Sequence, residues 1–480
     1  ESFTAFDLHW NEHFEFLKDY ADYHFIEGVT HNVFHTYTHN PQIGFLPPGT
    51  SMGSKIGTPF LRGQTWWPYM KEFTTYLARC SYLLERGQSV SDVLWYIGDE
   101  ISHKPDQEYP FPAGYKYDYC NPDVLLNRLS VKDGLVVTPE GLSYKFIWIP
   151  ENKRMLPETL EKLHALLEQG ATVVANAPQR ICTLAGGDET QARFDKNVEA
   201  IWGKAADGSI TTIGKGRLLA GVTIEKAIEL LDLKQDVQGD VRWLHRHVKG
   251  ADWYFITPEK QQAFKGKISF RAQGAAELWD PITGEITPLN VERQGEYASI
   301  ELDMPKAGSC FVVFNHNKKQ QKVEKVELAN SQSIDNKWTV QFPEGWGAPA
   351  ELEVETLAPW CELPMSKEGQ AFSGTATYTT TFNWSNESKE VVLDLGKVSM
   401  IAEVFVNDQK VRTLWCTPYA ADITSYVKQG ENKLQVKVTS TWFNRLAFDA
   451  SLPEAERKTW TIEGPKANAK LKEYGLLGPV

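Results

Sequence analysis

The sequence predicts a multidomain chain, α/β in its first half and all-β in its second. Three observations carry that expectation. The chain has 480 residues, more than one hydrophobic core holds, so it divides into about three or four domains. Up to about residue 220, strand-length apolar runs alternate with helical spacing and Gly stops, the pattern of β/α units with parallel strands. Beyond that point short alternating strands separated by polar turns take over, the pattern of β-sandwiches.

The elements follow in order. EHFEFLKDYADYHFIEG has apolar residues at helical spacing and a stop at Gly28. HNVFHTYTHNP, His31 to Pro41, is β-branched and aromatic and reads as a strand with His31, Val33, His35, Tyr37 and His39 on one face. The Gly/Pro-rich loop LPPGTSMGSKIGTP separates it from a helix in WWPYMKEFTTYLARCSYLLERG, which ends at Gly87. VLWYIGDE is then a buried strand running into acids. Long loops at the C-terminal ends of such strands build the active sites of β/α barrels. KFIWIP, LPETLEKLHALLEQG and ATVVANAP give a second strand–helix–strand unit of open-sheet type, with no GxGxxG to indicate a dinucleotide. Cys182 lacks the Gly two residues upstream that a nucleophile elbow needs; Arg180 stands there. DWYFITP, GKISFRA, ASIELDM and CFVVFN form a sandwich, and ATYTTTFNW, EVVLDLG, AEVFVND and NKLQVKVTSTW a second sandwich or jelly roll. The NWS and NES matches at Asn383 and Asn386 are of a kind chance often produces.

Composition excludes several functions. A net charge of −12 argues against nucleic acid, which needs a clustered basic face, and against an anionic membrane surface. No run of 18 apolar residues is present, so no membrane insertion is expected. Six scattered cysteines without a CxxC pair form neither a zinc cage nor a disulfide framework. Aromatic residues make up 12%, enough both for sandwich cores and for platforms against sugar rings.

Three carboxylates stand where chemistry would use them. Glu1 lies in ESFT, Glu27 just before the histidine segment, and Glu100, beside Asp99, at the end of VLWYIGDE. Two carboxylates flanking a bond are what glycoside hydrolysis needs, one giving a proton and one activating water or attacking directly. The histidines lack the HExxH of zinc peptidases, so they are either satisfied core groups or hydroxyl-binding groups at a strand end. Trp66, Trp67 and Trp95 are either core residues or stacking platforms, with Arg62 and Gln64 as neighbouring hydrogen-bonding groups. Asp118, Asn121 and Asp123 in GYKYDYCNPDVL are weak oxygen ligands for calcium, without the EF-hand spacing.

GVTHNVFHTYTHNP, PPGTSMGSKIGTPFLRGQTWW, YLARCSYLLERGQSVSDVLWYIGDE and GYKYDYCNPDVL, in this order and spacing, resemble the family 106 glycoside hydrolases, the α-L-rhamnosidases. VFVNDQKVRTLWCTPYAADIT, TSTWFNRLAFD and GLLGPV are similar to the sugar-binding jelly roll that this family shares with family 2. The resemblance covers nearly the whole chain and the later portion of a family member, so the first part of the barrel is expected upstream of Glu1. It implies four domains: residues 1–140, the C-terminal part of a catalytic (β/α)8 TIM-like barrel; 141–220, a small α/β domain like a β-galactosidase trimerisation or amidotransferase domain; 221–345, a β-sandwich; and 346–480, a galactose-binding-like jelly roll. It implies inverting hydrolysis of terminal α-L-rhamnose, calcium as cofactor, a rhamnose-containing carbohydrate as partner, and a periplasmic or secreted location. By motif, Glu1 matches the family's AEAFT-type glutamate and Glu100 its YGED-type glutamate, acid and base in unassigned order. Glu27 is the third candidate, and His35, His39, Arg62, Gln64, Trp66, Trp67 and Tyr117 are expected to bind substrate. The sequence has GDE where the family pattern has GED, so Asp99 is the alternative acid if the register slips by one. Two rivals stand beside the enzyme: a carbohydrate-binding protein without catalysis, and a family 2 or β-galactosidase-like glycosidase resting on the tail domains alone.

Overall fold

A computed structural model describes residues 1–4, 10–40, 46–50, 57–100, 111–150, 153–259, 262–324, 330–385 and 390–480. Pro41, residues 51–56 of the Gly/Pro-rich loop and the match at Asn386 lie outside the described residues.

Two N-terminal helices form where apolar spacing predicts them. Helix α1, Phe14–Ile26, buries Phe14, Leu17, Ala21, Phe25 and Ile26 along one stripe. Helix α2, Met70–Leu84, buries Phe73, Tyr76, Leu77, Cys80 and Leu84. Its C-terminal stop, Gly87, has φ +69°, and an added Cβ would stand 2.2 Å from the His247 carbonyl oxygen, so only glycine fits. Both helices close onto the C-terminal domain. The rings of Phe14, Phe73 and Tyr76 lie 6.2, 6.1 and 5.7 Å from that of Trp415.

The strand expected to belong to a barrel lies elsewhere. Strands β1 (Val93–Tyr96), β2 (Tyr117–Cys120), β3 (Phe146–Ile149), β4 (Thr172–Ala175), β5 (Ile210–Ile213) and β6 (Gly216–Leu219) make one six-stranded sheet, ordered β5-β6-β4-β3-β1-β2. All neighbours are parallel except the β5–β6 hairpin. The sheet therefore crosses the boundary expected at residue 140, and no sheet closes on itself among the described residues. The reason is burial on both faces. Leu94, Tyr96, Ile147 and Val173 meet Leu160 and Leu163 of α4 (Pro157–Gln169) on one side. Val93, Trp95, Phe146 and Val174 meet Ile224 and Ala227 of α6 (Ile224–Leu230) on the other. The short helix α3 (Pro122–Arg128) and helix α5 (Gly187–Trp202) lie between these elements in the chain. A doubly covered parallel strand reads as a continuous apolar run, as a barrel strand also does.

The sandwich follows as expected. One layer holds β7 (Val241–Val248), β8 (Ala251–Pro258), β10 (Ala275–Trp279) and β12 (Cys310–Asn315), and the other β9 (Phe264–Phe270) and β11 (Tyr297–Met304). Tyr254, Ile256, Ile268, Phe270, Val312 and Phe314 fill the space between. In the C-terminal sheet, β13 (Trp338–Gln341), β14 (Thr375–Trp384), β15 (Ile401–Val406), β16 (Gln409–Leu414) and β17 (Gly430–Thr439) run antiparallel. Since β13 pairs with β14, this sheet begins before residue 346.

One buried ionic network ties the sandwich together. His245 on β7 contacts Asp236 through Nδ1 at 2.7 Å and Asp252 through Nε2 at 3.1 Å. Burial opposes the imidazolium, but the two carboxylates outweigh it and push His245 up to about 9. A group raised in the folded state contributes its full stability below its unfolded value of about 6.5 and loses it as pH rises through about 9. Urea midpoints are therefore expected to fall between about pH 6.5 and 9 in the wild type, and to fall less in His245→Gln. Equal slopes for the two proteins would sink this assignment.

Candidate active site

Three short segments of the N-terminal region are laced by their backbones. Ser2 donates to the Val33 carbonyl at 2.7 Å and accepts from the His35 amide at 2.9 Å. Thr58 donates to Phe3 at 3.0 Å, and Thr36 to Thr58 at 3.1 Å. Beneath them Phe3, Phe34, Phe60 and Phe73 form an aromatic floor, with ring centroids 4.8 to 6.4 Å apart. Above the floor the Glu1 carboxylate stands 3.8 Å from His35 Nε2. The Glu1 side chain is 66% exposed and that of His35 15%. His35 Nδ1 is buried and has no hydrogen-bond partner among the described residues. Gly57, at φ +81°, lets it fit, because an added Cβ would lie 2.6 Å from that nitrogen.

The histidine segment is extended but is no strand; a lone bridge joins Phe34 to Ser2. Its alternation survives as exposure. His31, Val33, Tyr37 and His39 are exposed, while Asn32, Phe34, Thr36 and Thr38 are half-buried. His31 pairs with Glu85 at 2.6 Å, so of the three histidines it is His35 that meets a candidate acid. Along the rim the Tyr37 and Trp67 rings lie 6.1 Å apart, and Arg62 reaches the Asn40 carbonyl at 3.5 Å. Two expected substrate-binding residues are turned inward. Trp66 is buried between Phe14 and Phe60, 5.4 and 5.9 Å away, and offers no face to a ligand. Gln64 is buried and donates to the Pro59 carbonyl at 3.0 Å.

Glu100 stands on a different support, at the carboxyl end of β1. The sheet order reverses between β1 and β3, and open α/β sheets bind ligands at that switch point. Arg154, just beyond β3, pairs with Glu100 at 2.9 Å. Asp99 is engaged on both oxygens. One oxygen accepts from the Leu156 amide at 2.8 Å, the other from Thr159 Oγ1 at 2.6 Å and from the Tyr96 hydroxyl. Of the two neighbouring acids, Glu100 is the one facing solvent. Aromatic residues cover one face of this sheet: Trp95 lies 4.7 Å from Trp148, and Tyr117, which pairs with Val93 at the start of β1, lies 4.6 Å from Phe111. Trp95 is buried among them.

Glu27 caps the C-terminal end of α1 and is exposed near Lys116. Burial pushes the Lys116 ammonium down, and Glu27 opposes that shift. The three calcium candidates do not converge. Asp118 accepts from Ser91 at 3.1 Å and Tyr144 at 2.9 Å; Asn121 caps α3 through the Val124 amide; Asp123 accepts from Asn127 at 2.8 Å. Among the described residues no group of three or more His, Cys, Asp or Glu has a metal-holding arrangement. Held by separate partners, these three residues do not fit a calcium ion. Sequence reasoning missed Arg154 and Gly57, because one acts across strands and the other through the space it leaves.

Comparison with known proteins adds to this geometry. Residues 1–293 match the family described as alpha-L-rhamnosidase, glycoside hydrolase family 106. Residues 366–472 match the galactose-binding domain-like part of family 2 glycosyl hydrolases. A rhamnosidase structure from Novosphingobium sp. PP1Y superposes with a TM-score of 0.91 at 30% identity, over 100% of this chain and 47% of that one. A relative from Formosa agariphila, named "Putative beta-glucuronidase", is 25% identical over 100% of this chain and 62% of its own length. The chain thus spans about half the solved rhamnosidase and less than two thirds of the other relative. Among the described residues no helix is long and apolar enough to cross a membrane.

Proposed function

This chain belongs to the α-L-rhamnosidase family, glycoside hydrolase family 106, and from that premise we propose that it takes part in removing terminal α-L-rhamnose from a glycan by inverting acid/base hydrolysis. The observation that carries the reading is the Glu1 carboxylate 3.8 Å from His35 Nε2, above an aromatic floor and open to solvent. A sugar ring resting at that rim would meet Tyr37 and Trp67 as apolar faces and His35, His39 and Arg62 as hydrogen-bonding groups. Glu1 and Glu100 then divide the chemistry. One gives a proton to the leaving oxygen, and the other takes one from the attacking water. Inversion requires that water to fit between them, with carboxyls about 6.5–9.5 Å apart once substrate is bound. Tyr117, level with Val93 at the start of β1, lies at the other end of that strand from Glu100 and has no part in this arrangement. A periplasmic or secreted location belongs to the same reading and rests on the family resemblance.

Proton NMR of the first product formed from an aryl α-L-rhamnoside tests this. The β-anomer of rhamnose is expected to appear first; the α-anomer first would refute inversion. The Formosa relative's name favours a second reading, a β-glucuronidase. Release from an aryl β-glucuronide with none from the rhamnoside would establish that reading instead.

A further inference from the structure

A cleft of about 930 Å³ opens where α1, the turn before β12 and the C-terminal domain meet. It is distinct from the Glu1 and Glu100 sites, and its lining is basic although the chain carries −12. Lys306 comes from the turn, Lys397 from the C-terminal domain, and Lys470 and Lys472 from the end of the second matched region. Two acids face them, and both are engaged. Glu473 pairs with Lys397 at 2.9 Å, and Glu15 accepts from the Thr417 amide and hydroxyl at 2.8 and 2.9 Å. Lys306, Lys470 and Lys472 make no ion pair among the described residues.

The frame around these ammonium groups is rigid. Ala307, next to Lys306, sits at φ +59°, and its carbonyl is tied at 2.6 Å to the fully buried Lys18. Met400, in the cleft wall, sits at φ +75°, with its carbonyl held by Tyr419 at 2.8 Å. Non-glycine residues in the left-handed region cost energy and persist where the surroundings fix them, often at ligand sites. Lys472 is fixed by backbone bonds to Asn444 on both sides, at 2.7 and 2.8 Å, and lies 4.9 Å from the Phe443 ring.

We propose that this cleft binds an acidic glycan, a chain bearing carboxylate or sulfate groups. Its volume lies at the upper end of the about 300–1,000 Å³ of small-molecule sites, room for a few sugar units. Asn11, Ser399 and Thr417 intersperse amide and hydroxyl groups among the lysines, as a glycan's hydroxyls require. The tyrosines of the lining, Tyr419 and Tyr474, are buried, so neither offers a ring face to a nucleobase. The acidic remainder of the chain repels a long polyanion but not a short one seated in the cleft.

Isothermal titration on the whole chain tests this with oligogalacturonate, a sulfated oligosaccharide, a neutral dextran oligosaccharide and a single-stranded oligonucleotide. Binding of either acidic sugar, with weaker binding of the other two probes and loss of affinity from about 50 to about 500 mM NaCl, is expected. The preferred acidic probe identifies carboxylate or sulfate as the natural group. Lys306→Glu with Lys470→Glu should weaken binding about tenfold or more, while Lys306→Arg with Lys470→Arg should retain it. Rhamnoside hydrolysis should be unchanged in both, so this inference and the proposed activity fail separately. Unchanged affinity in the charge-reversed protein, equal binding of the oligonucleotide, or binding of neither acidic sugar overturns the proposal.

Discussion

Glu1→Gln is expected to lower kcat on an aryl α-L-rhamnoside by about 10²–10⁴-fold, with KM little changed, in the full-length protein. The amide keeps the shape of the carboxylate beside His35 but cannot exchange a proton, and proton transfer by a positioned group is worth that range. Glu100→Gln should fall in the same range if it is the partner at the switch point. Glu27→Gln should lose less than about tenfold, because Glu27 is an exposed helix-end residue beside Lys116. Wild-type turnover in Glu1→Gln would remove Glu1 from the chemistry. A full loss in Glu27→Gln would move the acid there.

Asp22→Ala is expected to destabilise the chain by about 3–5 kcal/mol, the cost of stranding a buried charge. Lys18 is fully buried on α1, and its ammonium reaches Asp22 at 2.6 Å, the Ala307 carbonyl at 2.6 Å and Ser309 at 2.9 Å. Tyr76 on α2 donates to Asp22 and lies 3.0 Å from Ser309. The network thus joins both helices to the turn that carries Lys306. Removing Asp22 leaves the ammonium without its counterion. Replacing both charges, Lys18→Met with Asp22→Leu, should cost less than Asp22→Ala alone, since no charge is then left unpaired. Denaturant unfolding measures both. A loss below about 1 kcal/mol in Asp22→Ala would mean that Lys18 finds water instead.

Much of this was legible in the residues themselves. The stripe Phe14, Leu17, Ala21, Phe25 fixed α1, and the alternation along β9 and β11 fixed the sandwich, because each pattern has one periodicity and one exposed face. The motif order from the histidine segment to VLWYIGDE was enough to identify the family, since it lies along the chain. The candidate site was half legible. Glu1 and His35 were named from sequence, and the structure brings them together; Trp66 and Gln64 were named too, and it turns them inward. An aromatic or amide side chain next to a loop carries no mark of which way it faces.

The sequence by itself determined the order of helices and strands, the family and the acidic candidates, since these rest on local spacing and on residue types. Only the tertiary structure decided that β1 joins an open sheet rather than a barrel, that Asp99 is bound up while Glu100 faces out, and that four lysines from three segments line one cleft. The physical reason is the same in each case. Burial on both faces gives one apolar pattern to different sheets, and a side chain's partners come from residues far along the chain, which no periodicity records.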